Sequence, residues 1–173
     1  MDRMLRVRRV LATSAPAVAM LAGIVLLVVP IRLGQGYIPT PLLPLIIVFL
    51  YSVYDPDALP APVVFVLGLL HDLLYGGGFG VWASIYLSMK YLVHTQREYL
   101  NGRVRRVIWL AFAVASVTVG IVLWLEQSLL AGRWVALWPL VYQFFITIAV
   151  YPLASRTFFY LRRRAAGEFE AYS

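Results

Sequence analysis

The chain has 173 residues, of which 62% are hydrophobic and only 13% charged, with a formal net charge of +7 and no cysteine. A soluble domain of this length is about half apolar and about a quarter charged, so the excess apolar side chains need a bilayer as solvent. The absence of cysteine excludes disulfides, thiolate metal sites and cysteine nucleophiles. Two histidines, His71 and His94, are too few for a histidine-built metal cluster.

The N-terminal tail carries Arg3, Arg6, Arg8 and Arg9. An uncharged run follows from Val10 to Val29, long enough to cross about 30 Å of hydrocarbon. No small-x-small cleavage site follows it, so it reads as an uncleaved span rather than a signal peptide. Within it Ala15, Ala19 and Gly23 recur every four residues, the spacing at which membrane helices approach closely. That ladder suits either internal packing or the docking of a partner helix, and Pro16 kinks the helix or frees a carbonyl.

Segments 2, 3 and 4 are expected over residues 38–54, 59–75 and 79–93. Their apolar cores are short, and prolines sit near the starts of segments 2 and 3, where the first amides lack intrahelical partners. Between segments 2 and 3, Asp55, Pro56 and Asp57 suit a turn, with Asp57 or a neighbour capping segment 3. Segment 5 is expected over 107–125 and segment 6 over 134–151, ended by Pro152. Glu126 and Gln127 then fall in a solvated loop near Arg133 and Trp134. Strands are not expected, because the runs are apolar on all faces, whereas membrane strands alternate.

Six spans with a cytoplasmic N-terminus put thirteen of the fifteen Lys and Arg residues inside, leaving Arg32 and Arg133 outside. Both termini are then cytoplasmic. A four-span arrangement with 41–75 as a buried hairpin keeps the same sidedness. The basic clusters flank apolar runs and lack the aromatic interleaving of a nucleic-acid face. They are placed to meet anionic lipid headgroups.

The stretch "GLLHDLLYGGGFG" sets His71 and Asp72 side by side. Neighbours on a helix point about 100° apart, so the two do not form a dyad, and no strained serine turn or metal motif accompanies them. His71 is expected near the outer interface, bonded to Tyr75 one turn on. Asp72 lies near the C-terminal end of segment 3, where the helix dipole disfavours a carboxylate. It needs a partner: the amides that open segment 4, or Arg32 or Arg133. A proton-relay or substrate role is the sharper alternative. Gly68, Asp72, Gly76, Gly80 and Ser84 recur every four residues and Ala83 adds a small side chain. The stretch therefore reads as a tight helical hairpin with small facing surfaces.

"FVLGLLHDLLYGGGFGVWASIYL" resembles the central signature of the rod-shape-determining MreD family, approximately G-L-x-x-D-L-x-x-G-x-x-x-G-x-x-A-L. Gly68, Leu69, Asp72, Leu73, Gly76, Gly80 and Ala83 match it, and "PLLPLIIVFLYSVYDPDALP" looks like the segment before it. Phe79 and Ile85 depart from the pattern, and His71, Gly77 and Gly78 are not fixed by it. The resemblance implies an all-α integral membrane protein of six transmembrane helices, similar in fold to the S components of energy-coupling-factor transporters. It implies a non-enzymatic scaffold of the cell-elongation machinery, without cofactor. The partners it implies are a bitopic MreC-like protein, an MreB-like cytoskeletal protein and wall synthases. The fold similarity makes a vitamin-type binding subunit of a transporter the runner-up, with His71, Glu126, Gln127 and Arg133 converging on an outer pocket. A membrane enzyme would need a compact ionisable cluster that the inventory hardly supplies. A homo-oligomer stays open.

Overall fold

The computed structural model describes residues 15–27, 32–33, 36–37, 40–76, 78–100 and 102–170, with side chains through 162 apart from those of the two short strands. Arg3, Arg6, Arg8 and Arg9, both ends of the first expected span, and the side chains of Arg32, Arg163 and Arg164 lie outside the described residues. Six helices are described: α1 Ala15–Leu27, α2 Leu43–Tyr54, α3 Ala61–Tyr75, α4 Val81–Leu100, α5 Arg105–Ala131 and α6 Trp138–Glu170. An unforeseen antiparallel pair, β1 Arg32–Leu33 and β2 Gly36–Tyr37, joins α1 to α2.

Helix α2 is the centre. Pro44, Leu45, Ile46, Val48, Phe49, Leu50, Ser52 and Val53 are buried, which leaves it little free face. It packs against α4 and α6, and α4 in turn packs against α3 and α5. Gly23 of α1 brings that helix against Pro44, where an added Cβ would sit 3.3 Å from the ring. The core between α2, α5 and α6 is aromatic: Phe112 stacks on Tyr151 at 4.5 Å, and Phe49 meets Phe112 edge-on at 5.0 Å. By contrast α5 buries a single stripe, Ile108, Phe112, Ser116, Val119 and Leu123, at helical spacing.

Helices α5 and 138–162 of α6 are the two long and apolar enough to cross a membrane, at 27 and 25 residues. Their outward faces are apolar, with Leu110, Val114, Val117, Ile121, Phe145 and Leu153 exposed.

Several helix limits differ from those read in the sequence. Helix α4 continues past Val93 to Leu100, because the residues beyond the apolar run are good helix formers that need no burial. Helix α5 carries Glu126 and Gln127 within it and stops at Gly132, which takes a left-handed conformation with φ 63°. No side chain caps α3, whose N-cap is Pro60 rather than Asp57.

The largest difference is at Pro152, which lies inside α6 rather than ending it. A proline removes the amide that would bond the carbonyl four residues earlier, here that of Ile148. The indole of Trp109 on α5 donates to that carbonyl at 3.1 Å. The freed acceptor is satisfied from a neighbouring helix, so α6 continues. Trp109→Phe is expected to cost about 1 kcal/mol of stability in detergent. In a Pro152→Ala background, where residue 152 regains its amide, that cost should fall to near zero in a double-mutant cycle. An unchanged cost there would mean the indole bond does not replace the missing amide.

Candidate functional site

The α3–α4 hairpin gathers the signature residues. Gly76 ends α3 in the left-handed conformation, φ 72°, and its amide donates to the Asp72 carbonyl at 3.1 Å. Gly80 turns the chain again, with φ 94°. A Cβ at either glycine would meet nothing within 4 Å, so both are needed for backbone conformation and not for space. Gly68 is the reverse case: an added Cβ would lie 2.4 Å from the Ala83 Cα and 2.8 Å from its amide nitrogen. The four-residue spacing therefore joins two devices. Gly68 and Ala83 let two helices touch at backbone distance, and Gly76 and Gly80 reverse the chain.

Asp72 connects them. Its Oδ2 accepts from the Gly80 amide at 3.0 Å and its Oδ1 from the Trp82 amide at 2.8 Å. These are among the first amides of α4, which have no partner within their own helix. A residue before a helix often caps it with its own side chain, but Gly80 has none. Asp72 performs that role from α3, and the positive end of the α4 dipole faces its carboxylate. Of the partners weighed for Asp72, the structure brings up the amides. Arg133 is exposed, and the only ion pair among the described residues joins Arg162 to Asp55 at 3.6 Å.

His71 is fully buried, and its partner is Tyr86 rather than Tyr75. Its Nδ1 lies 2.7 Å from the Tyr86 hydroxyl, and its ring stacks on Trp82 at 4.4 Å. Tyr75 touches it only edge-on at 5.6 Å. The buried position follows from α3's stripe of Val64, Gly68, His71 and Asp72, which all turn towards α4.

Glu126 is bound rather than solvated. The Ser84 hydroxyl lies 2.7 and 3.0 Å from its two oxygens and 2.8 Å from the Val81 carbonyl, and donates to one of them at a time. His71 is thus sealed among aromatics and Glu126 is held by α4, while Arg133 stays exposed. These groups do not converge on a pocket. The cavities between α4 and α5 and between α5 and α6 are lined almost wholly by apolar side chains and include none of them. In the α1 ladder, Gly23 is buried against α2 while Ala15 and Ala19 are exposed.

Sequence reasoning passed over Lys90 except as a topological charge. Its ammonium donates to the carbonyls of Leu59 at 2.8 Å and Pro56 at 3.4 Å, tying α4 to the α2–α3 turn. The signal was present: one lysine in the apolar run "SIYLSMKYLV" needs a polar partner, and a proline-rich turn has carbonyls to spare. Thr147 was also missed. Its hydroxyl accepts from the Leu42 amide at the start of α2, at 2.9 Å.

Gly68→Ala must push backbone from backbone, with an expected cost of about 1–3 kcal/mol. Gly78→Ala meets side chains rather than backbone, the movable tip of Leu130 at 2.5 Å and the Val81 methyl at 3.1 Å, and should cost less. Asp72→Ala strands two amides, a cost of about 2–4 kcal/mol, and Asp72→Asn, which keeps one acceptor, should fall between it and the native chain. Thermal unfolding in detergent ranks the four, and an Asp72→Ala melting point equal to the native one would refute the capping role.

No curated protein and no solved structure matches the chain significantly. The hairpin that Asp72, Gly76 and Gly80 close lies within residues 7–162, nearly the whole chain, which match the family described as rod shape-determining protein MreD, and the chain belongs to that family.

Proposed function

We propose that the chain is a six-span scaffold of the bacterial inner membrane, both termini cytoplasmic, which takes part in rod-shape determination by holding partner proteins rather than by chemistry. The observation that carries this reading is where polar side chains within the apolar helices go. Asp72, Ser84, Lys90, Thr147 and Trp109 each bond another element of the same chain, whereas large apolar side chains face outward on α1, α3, α5 and α6. That is the distribution of a bundle solvated by lipid.

The six-span reading has further support. Helix α2, with 12 residues, reaches only about 18 Å, but the chain before it is held by α6 through Thr147 and Gln143. Irregular backbone at membrane depth is tolerated where protein covers it. Exposed aromatics gather towards both ends of the long helices, with Trp134, Trp138 and Tyr142 at one and Tyr99 and Tyr160 at the other, as in interfacial belts. Arg162 meets Asp55, and Arg105 lies over Phe159, at the end opposite Arg133. The signature hairpin then faces the periplasm and fixes α3 against α4. The exposed side of α1, with Ala15 and Ala19, is open to the helix of an MreC-like bitopic partner. An MreB-like protein and wall synthases would complete the assembly.

The chain has no native cysteine, so single-cysteine variants report sidedness cleanly. An impermeant maleimide added to intact spheroplasts should label Phe79→Cys and Arg133→Cys, and should reach Asp57→Cys and Arg103→Cys only after lysis. The reverse pattern would invert the topology. Depletion in a rod-shaped host should round the cells with vitamin uptake unchanged; rods that keep their shape and lose uptake would sink the scaffold reading in favour of a transport subunit.

A further inference from the structure

A second feature lies at the end of the molecule away from the signature hairpin. Between α4 and α5, just before and after their connecting turn, there is a cavity of about 450 Å³, within the range of about 300–1,000 Å³ typical of small-molecule sites. Leu92, Val93 and Leu100 form one wall and Val107, Ala111 and Ala115 the other, with Phe49 of α2 among the residues that line it. Leu110 and Val114 at its edge are exposed, so it opens sideways, away from the core. Its polar lining is confined to Gln96, Tyr99 and Thr118.

Tyr99 carries a fixed cation to this mouth. The Arg103 guanidinium lies over the Tyr99 ring, 4.6 Å from its centre, and Arg103 Nε donates to the Tyr99 carbonyl at 3.3 Å. Among the described side chains Arg103 has no carboxylate partner. Arg97, next to Gln96 and one turn before Leu100, is half-buried with its Nε unpartnered. Arg105 is turned away onto Phe159, and Arg106 is exposed. Glu98 is the one acidic residue in the stretch 90–106, against five basic ones.

We propose that this groove holds one acyl chain of an anionic phospholipid of the inner leaflet, with its phosphate against Arg103 and Arg97. The proposal rests on the topology above, which puts the α4–α5 turn at the cytoplasmic face. An apolar slot lined by Gln96 and Tyr99, beside arginines that have no carboxylate partner among the described side chains, matches an apolar tail ending at a phosphate, and basic pockets between helices on this side of a membrane suit such headgroups.

The test is native mass spectrometry of the full chain in nanodiscs of equimolar phosphatidylglycerol and phosphatidylcholine. The native protein should retain phosphatidylglycerol preferentially. Arg103→Gln, an exposed position whose side-chain contacts among the described residues are with Tyr99 alone, should lower that preference about fivefold, the effect of a single basic residue near an anionic surface, with its melting point close to the native one. Ala115→Trp, which fills the slot, should lose retained lipid of both kinds while keeping its melting point within a few degrees. Equal retention of the two lipids by the native chain, or an unchanged preference in Arg103→Gln, would overturn the proposal. So would an Ala115→Trp chain that keeps its lipid but loses a stoichiometric protein partner. A chain that does not enter nanodiscs at all would instead fail the membrane reading on which the proposal stands.

Discussion

The bond from the Asp72 carboxylate to the first amides of α4 is the constraint from which the rest of the fold follows. It joins the end of one helix to the start of the next across a glycine turn. A carboxylate near the C-terminal end of α3 opposes that helix's dipole, and the same carboxylate at the N-terminal end of α4 favours it. The two effects offset each other only if the helices are held antiparallel and close. Gly68 provides the closeness, since a Cβ there would overlap the Ala83 backbone. Gly76 and Gly80 provide the reversal. Removing any of these four residues leaves the other three without a reason to be where they are.

The same logic recurs wherever the backbone has an unmatched polar group. In lipid there is no water to accept or donate a bond, and apolar contact between helices gains little over contact with tails. Side chains therefore complete the backbone of neighbouring elements. Asp72 covers the start of α4, Thr147 the start of α2, Lys90 the turn after α2, Trp109 the proline gap in α6, and Trp124 the Val135 carbonyl beyond α5. Each such bond is worth about 0.6 kcal/mol on average in a membrane protein. Their larger effect is on register, because a helix that slides by one residue loses its partner.

Much of this was legible in the sequence, because glycine and aspartate in an apolar helix have few uses. The hairpin and its turn could be named from spacing, and the amides that open α4 stood beside Arg32 and Arg133 among the partners weighed for Asp72. What could not be read was which side chain meets which carbonyl in a third helix. Pro152 looks like a stop because the residues that make it harmless lie forty positions away, near Trp109. Glu126 looks solvated because Ser84, which binds it, is a small residue in another segment. Spacing alone favours Tyr75, one turn on, as the partner of His71; tertiary contact brings the Tyr86 hydroxyl to it instead. The limits of α4 and α6 were missed for a different reason: polar residues extend a helix out of the apolar run without any hydrophobic signal.

The adjacency of His71 and Asp72 in sequence suggests proton chemistry, and the geometry argues against it. A relay needs each group to face another that can take up or release a proton. Both oxygens of Asp72 are engaged by backbone amides, which neither give up nor accept a proton at any physiological pH. His71 bonds the Tyr86 hydroxyl, its Nε2 has no partner among the described residues, and no hydrogen bond there links it to Asp72. The two side chains leave α3 in different directions and grip α4 at different heights, Asp72 at Gly80 and Trp82 and His71 one turn further on at Tyr86. A pair of ionisable groups that would be a liability in an apolar helix is thereby spent on two separate fastenings of the same two helices, which fixes both their distance and their rotation.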